Sequence, residues 1–168
     1  KSYTDFIRDV KSFAARLQHD GLMHGKIAIF ANNSYAYLVA DAAIMGYIGI
    51  SIPISKEWTV YSLKNAVRNL NIDAIIYDHQ HANIVKQFAA DNLIKTIAIE
   101  EIIEPNDYKL AENTKTADEI SKIVFSSGTT GTPKAVALSQ HNMFANFENL
   151  RKRTPMDEND IDYLFLPL

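Results

Sequence analysis

One stretch of nine residues concentrates groups able to work on an anion. Ser126-Ser-Gly-Thr-Thr-Gly-Thr-Pro-Lys134 places hydroxyls at Ser126, Ser127, Thr129, Thr130 and Thr132, glycines at Gly128 and Gly131, and an ammonium at Lys134. Glycines allow positive φ and let backbone N–H groups approach an anion. Hydroxyls donate to phosphoryl oxygens or ligate Mg²⁺, and a lysine supplies the compensating point charge. These are the parts of a polyphosphate cradle. The same composition also describes a flexible hairpin loop in which Ser and Thr bond the backbone. A Walker A loop is excluded: that motif runs into a helix through G-K-S/T, whereas Pro133 and an apolar strand follow here. G-x-G-x-x-G is excluded too, because Gly128 and Gly131 are the loop's two glycines.

The elements that must position this loop follow from hydrophobic spacing. Phe6, Val10, Ala14 and Leu17 predict a helix capped at Thr4 and stopped near Gly21. Short apolar runs at 26–31, 48–54, 73–77 and 96–99 predict strands. Helices are expected between them, from Ser34 as cap over 35–45, after Thr59 with Leu63, Val67 and Leu70, and over 83–90. Strands alternating with helices imply βαβ crossovers. Strands without polar alternation imply a mostly parallel sheet covered by helices on both faces. The expected fold class is therefore α/β. Residues 1–99 form the βαβ layer. Residues 100–119, with seven acids against Lys109 and Lys115, form an acidic, solvated connector. In 120–168 a strand (120–125), the polar loop, a second strand (135–139), a helix (142–153) and an apolar terminal strand (163–168) are expected. That last strand needs neighbours, so the natural chain is expected to continue.

Composition narrows the function classes. The 168 residues carry 17 Lys+Arg against 20 Asp+Glu, a formal charge of −3, and 47% are hydrophobic. This is the size and apolar content of one globular domain or a piece of a larger one. A mildly acidic balance argues against a nucleic-acid partner. Zero Cys excludes a disulfide framework, a thiol nucleophile and Cys-ligated metal. The first residues show no signal peptide. The one membrane candidate, Tyr35 to Ile54, is broken by Asp41, Gly46, Gly49, Ser51 and Pro53, and reads as a buried helix running into a buried strand. A soluble, cytoplasmic protein is expected.

Phe125-Ser-Ser-Gly-Thr-Thr-Gly-Thr-Pro-Lys134 also resembles the signature of the adenylate-forming superfamily, an aromatic residue followed by S/T-S-G-S/T-T-G-x-P-K-G. That superfamily includes acyl-CoA synthetases, luciferases and adenylation domains of nonribosomal peptide synthetases. Ser2-Tyr-Thr-Asp-Phe6 resembles its T-Y-x-E-L opening, and Lys26-Ile-Ala-Ile-Phe-Ala-Asn-Asn-Ser34 its D-x-V-A-I-x-x-x-N-S segment. The stretch 43–53 resembles K-A-G-A-x-x-x-P, and Asp160-Ile-Asp-Tyr-Leu-Phe-Leu-Pro-Leu168 resembles D-x-x-L-x-x-L-P-L. The likeness thus spans nearly the whole chain, in order.

The resemblance implies the first part of the large N-terminal domain of such an enzyme. It implies that Ser126, Ser127, Gly128, Thr129, Thr130 and Gly131 wrap the β- and γ-phosphates of ATP, that Lys134 offers the charge, and that Ser126 helps hold Mg²⁺. ATP, Mg²⁺ and coenzyme A are the implied cofactor and co-substrates. The implied parent reaction converts a carboxylic acid, by the likeness of 165–168 a medium- or long-chain fatty acid, to acyl-AMP and then to its CoA thioester. Transfer to a carrier-protein thiol, activation of an aryl or amino acid, and a stand-alone nucleotide-binding module are the alternatives. In the family the adenine, ribose, acyl and catalytic lysine sites lie further along. No catalytic residue is therefore expected within these residues, the remainder of the same chain is the expected partner, and these residues alone are expected not to adenylate. Two departures stand out: Ala135 replaces the final glycine, and Gln140 replaces the usual His, with His141 one place later.

Smaller signals have plainer expectations. His79 and His81 with Asp78 form a thin metal set and are expected in a solvated loop. Arg151-Lys-Arg153 is expected to complement a helix dipole. Trp58, near Tyr61, is expected to pack in the core or at its rim, and Asp41 to have a structural role.

Overall fold

The computed structural model describes residues 1–55, 58–92, 94–104, 106–126, 134–154, 157 and 160. The chain begins with helix α1 (Tyr3–His19), strand β1 (Lys26–Phe30), helix α2 (Tyr35–Ala43) and strand β2 (Ile50–Pro53). It continues through α3 (Val60–Leu70), β3 (Ala74–Tyr77), α4 (Ala82–Asn92) and β4 (Lys95–Ala98). A hairpin of β5 (Ile120–Ser126) and β6 (Lys134–Ser139) precedes α5 (Gln140–Arg153). The strands make one sheet in the order β4-β3-β1-β2-β5-β6. All neighbours are parallel except the antiparallel pair β5·β6. The α/β reading of the sequence holds.

Period-two side chains send alternate residues of each strand to opposite faces, and here both faces are apolar. Ile27 and Ile29 of β1 pack with Phe13 and Leu17 of α1 and with Val39, Ala40 and Ala43 of α2. Ala28 and Phe30 pack on the other face with Leu63 of α3 and Val85 and Phe88 of α4. The apolar strand runs are therefore the mark of a sheet sandwiched between two helical layers.

Local signals mostly fall where the sequence places them. Ser34 accepts from the Tyr37 N–H, and Thr59 from the Ser62 N–H, as N-caps do. Three differences have physical causes. The cap of α1 is Ser2 rather than Thr4, because Ser2 and Asp5 form a reciprocal capping box. Helix α5 begins at Gln140, because Ser139 and Asn142 form a second one. Between α2 and β2 the chain makes a π-helical turn, Ile44–Ile48, closed by the Gly49 N–H donating to the Ile44 carbonyl at 2.9 Å. Gly49 is obligatory there, since an added Cβ would collide with the Gly25 carbonyl.

The acidic connector is not simply solvated. Ile99–Ile103 forms a 3-10 turn that buries Ile99 and Ile102. Arg16 binds the Glu101 carboxylate at 2.6 Å, and Asn106 donates to Ser12 of α1. Further on, Asn113 donates to the Gly46 carbonyl, and Lys115 to the carbonyls of Met45 and Gly49. The polar residues of this segment satisfy backbone groups of the helical layer, which composition alone did not reveal. No helix among the described residues is long and apolar enough to cross a membrane.

Candidate functional site

Strand β5 is parallel to β2, so its last residue, Ser126, lies at the carboxyl edge of the sheet, where open α/β sheets bind ligands. The antiparallel ladder of β5 and β6 sets Ser126 opposite Lys134, and Phe125 opposite Ala135. Ser126 is exposed, its hydroxyl 3.5 Å from the Lys134 carbonyl, and Lys134 is exposed as well. The structure thus places two predicted site residues side by side at the mouth of the loop. Ser127, Gly128, Thr129, Thr130 and Gly131 lie outside the described residues. Ala135 sits in regular strand, where the freedom of a glycine has no use.

The mouth rests on two supports. On one face Trp58 packs edge-on against Phe125, with ring centroids 4.6 Å apart. This is the rim packing expected of Trp58, while Tyr61 is exposed. On the other face Lys122, four residues before Ser126, reaches the Asp41 carboxylate of α2 at 2.7 Å. Ser51 of β2 donates to the same carboxylate at 2.5 Å. Asp41 thus has the structural role expected of it, with a partner the sequence reading did not name. Lys122 is the one charge in the 120–125 strand and Asp41 the one charge in its helix, so an ion pair between them was a legible possibility.

A second polar cluster occupies the same sheet edge, just beyond the paired ends of β1 and β3. Asp78 accepts from the Asn32 backbone and side-chain N–H groups at 2.8 and 2.7 Å and lies 2.6 Å from His81 Nδ1. Burial works to raise the Asp78 pKa, but the Asn32 N–H groups and His81 outweigh it and hold the carboxyl below its ordinary value. His81 is buried against the Phe30 ring, which corrects the expectation of a solvated loop; His79 alone is exposed. Among the described residues no three His, Asp or Glu side chains are grouped to hold a metal ion. His141 is exposed and lies 3.3 Å from Asp118. Arg151, Lys152 and Arg153 form the last turn of α5, where cations complement the dipole.

The fold and the loop mouth define a doubly covered, mostly parallel α/β protein with a hydroxyl and an ammonium at its carboxyl edge. The chain belongs to the AMP-binding enzyme family, whose model matches residues 1–168. It is 29% identical over 142 residues to HC-toxin synthetase of Cochliobolus carbonum, covering 82% of this chain and 3% of that one. To long chain acyl-CoA synthetase 7, peroxisomal, of Arabidopsis thaliana it is 24% identical, covering 99% of this chain and 27% of that one. The fold matches O-succinylbenzoate coenzyme A synthetase from Bacillus subtilis, solved in complex with ATP and magnesium ion, with a TM-score of 0.86 and 15% identity, covering 99% of this chain and 44% of that one. The chain spans less than half the length of each of these proteins.

Proposed function

We propose that the intact protein uses MgATP to activate a carboxylic acid as its acyl-AMP and then passes the acyl group to CoA, and that residues 126–134 hold the ATP phosphates. The observation that carries this reading is the pairing of Ser126 with Lys134 across the mouth of a loop that fits the family signature. A hydroxyl donor beside an ammonium suits a polyphosphate. In the first half-reaction a carboxylate oxygen bonds to the α-phosphorus, the bond to the bridging oxygen breaks, and pyrophosphate leaves with the electron pair. Lys134, with the hydroxyls and N–H groups of 126–131, would stabilise the charge that accumulates on that leaving group. Magnesium, when bound, would neutralise phosphate oxygens; Ser126 offers it one neutral oxygen, in keeping with an ion held largely by its phosphates.

We assign a medium- or long-chain fatty acid as the substrate, supported by the stretch 165–168 and by the long-chain acyl-CoA synthetase among the relatives. A likeness of 24% identity to long-chain-fatty-acid–[acyl-carrier-protein] ligase AEE15, chloroplastic, of Arabidopsis thaliana, covering 99% of this chain and 28% of that one, favours a second reading, in which a carrier-protein thiol takes the acyl group. The test is acid-dependent ATP–pyrophosphate exchange by the intact protein across fatty, aryl and amino acids, followed by CoA or a carrier as acceptor. Exchange peaking with one fatty-acid length, and CoA thioester formation, are expected. Lys134→Ala should reduce exchange by about a hundredfold, the scale of losing one charge-stabilising group. Silence across the acid panel from a folded protein that binds ATP would overturn the reading.

A further inference from the structure

The strand that carries the loop lies alongside β2 as closely as β1 does, but joins it through a shorter registered ladder. Among the described residues β5 meets β2 at a single registered Cα pair, Ser51 opposite Lys122, and the β5·β6 ladder slips register between Ile120 and Lys122. By contrast β1 holds four registered pairs with β2 and four with β3. At this short ladder stands a polar triad. Lys122 donates to one Asp41 carboxylate oxygen at 2.7 Å, and Ser51 donates to the other at 2.5 Å. Ser51 is fully buried and Asp41 is 9% exposed. One carboxylate on α2 therefore ties together the two residues that set the register of β2 and β5.

We infer that the Asp41–Lys122 ion pair, with Ser51, is a positioning device that fixes where β5 delivers the loop mouth, and so governs binding of the ATP β- and γ-phosphates. The inference rests on the phosphate-loop reading above. Lys122 and Ser126 share a strand face, being four residues apart at period two, so a shift of β5 at the triad moves Ser126 with it. Misplacement of a binding group by about 1 Å costs up to a hundredfold in a preorganised site. Apolar packing alone would bury this seam but would specify its register less sharply than two directional bonds to one carboxylate.

The experiment measures MgATP and AMP affinity by calorimetry on the intact protein, because AMP lacks the two phosphates in question. Lys122→Met should raise the Kd for MgATP about tenfold and leave that for AMP within about twofold. Lys122→Arg, which keeps a cation opposite Asp41, should stay near wild type. The double variant Asp41→Asn with Lys122→Met removes both charges together and keeps an acceptor for the Ser51 hydroxyl, so it should recover the melting midpoint while keeping the weakened MgATP binding. Recovery of MgATP affinity in that double variant, or equal losses for MgATP and AMP, would reduce the pair to a structural role and overturn the inference. If Lys122→Met alone does not fold, the double variant decides; if that also fails, the pair is a folding requirement and the positioning claim falls. Lys134→Ala run in parallel separates the two ideas. If Lys134→Ala leaves MgATP binding unchanged, the phosphate-loop reading falls and takes this inference with it. If it weakens MgATP binding while the double variant does not, the inference alone is wrong.

Discussion

Strand β3 and helix α5 lie in opposite parts of the molecule and follow opposite rules. All four residues of β3 are buried, between α1 and α2 on one side and α3 and α4 on the other. Helix α5 buries none of its residues, and Phe144, Phe147 and Leu150 are 64%, 55% and 50% exposed. Its neighbour β6 is equally exposed over most of its length. The first region holds its shape through burial of apolar area. The second is held by caps, a hairpin ladder and a few long-range polar bonds, such as Gln140 donating to the Met45 carbonyl at 2.8 Å. Stability and site-building are thus divided: the β4-β3-β1-β2 layer supplies the core, and the hairpin edge supplies the groups that meet solvent.

That division breaks most visibly in the core. Phe88 of α4 is 1% exposed in the cluster that lines one face of the sheet. Phe88→Ala should cost about 3–5 kcal/mol, from lost transfer energy plus the cavity left behind. Chemical denaturation of the purified protein reads this directly. A loss below about 1 kcal/mol would show that α4 does not carry the core as the burial indicates.

The same division explains what could be read from the residues. Apolar runs such as Ile27–Phe30 and Ala74–Tyr77 announce buried parallel strands because burial on both faces removes every polar alternative. The Ser126–Lys134 segment, by composition, suits an anion cradle and a flexible hairpin loop equally; the order of its residues, which resembles the family signature, is what singles it out. Long-range polar partners left a fainter trace. That Asp41 meets Lys122, 81 residues away, or that Lys115 reaches Met45, depends on which strands become neighbours. Strand order β3-β1-β2-β5 is a tertiary outcome, whereas periodicity reports only local geometry. The π-helical turn at Ile44–Ile48 was hidden for a related reason: its pattern is apolar like the helix before it and the strand after it.

The Asp78 cluster sharpens the comparison, since it is a polar device inside the well-packed layer. Asp78→Asn keeps the shape but gives up a charged acceptor for Asn32 and His81, and should cost about 1–2 kcal/mol at neutral pH. The sign with pH follows from the depressed folded pKa. Asp78 stabilises the fold above the ordinary carboxylate value, and that contribution fades as pH falls through the lower, folded value. Acid unfolding of the variant should therefore show a shallower slope below about pH 4 than wild type. Parallel acid limbs would mean that Asp78 titrates alike in both states.

The smallest effect is expected on the exposed face of α5. With Phe147 55% exposed and no buried residue on its helix, Phe147→Ser removes little packing from residues 1–168, and their stability should change by less than about 0.5 kcal/mol. Made in the intact protein, the same substitution reads a different quantity, because the matched segment is less than half of these relatives. A row of Phe144, Phe147 and Leu150 on one helix is a large apolar surface for solvent to carry. A loss of about 2 kcal/mol or more in the intact protein, against a near-zero change in the shorter chain, would show that the hairpin edge becomes core once the rest of the protein is present. Equal, near-zero changes in both would leave α5 as a solvent-facing helix, and the contrast between the two regions would belong to the whole protein.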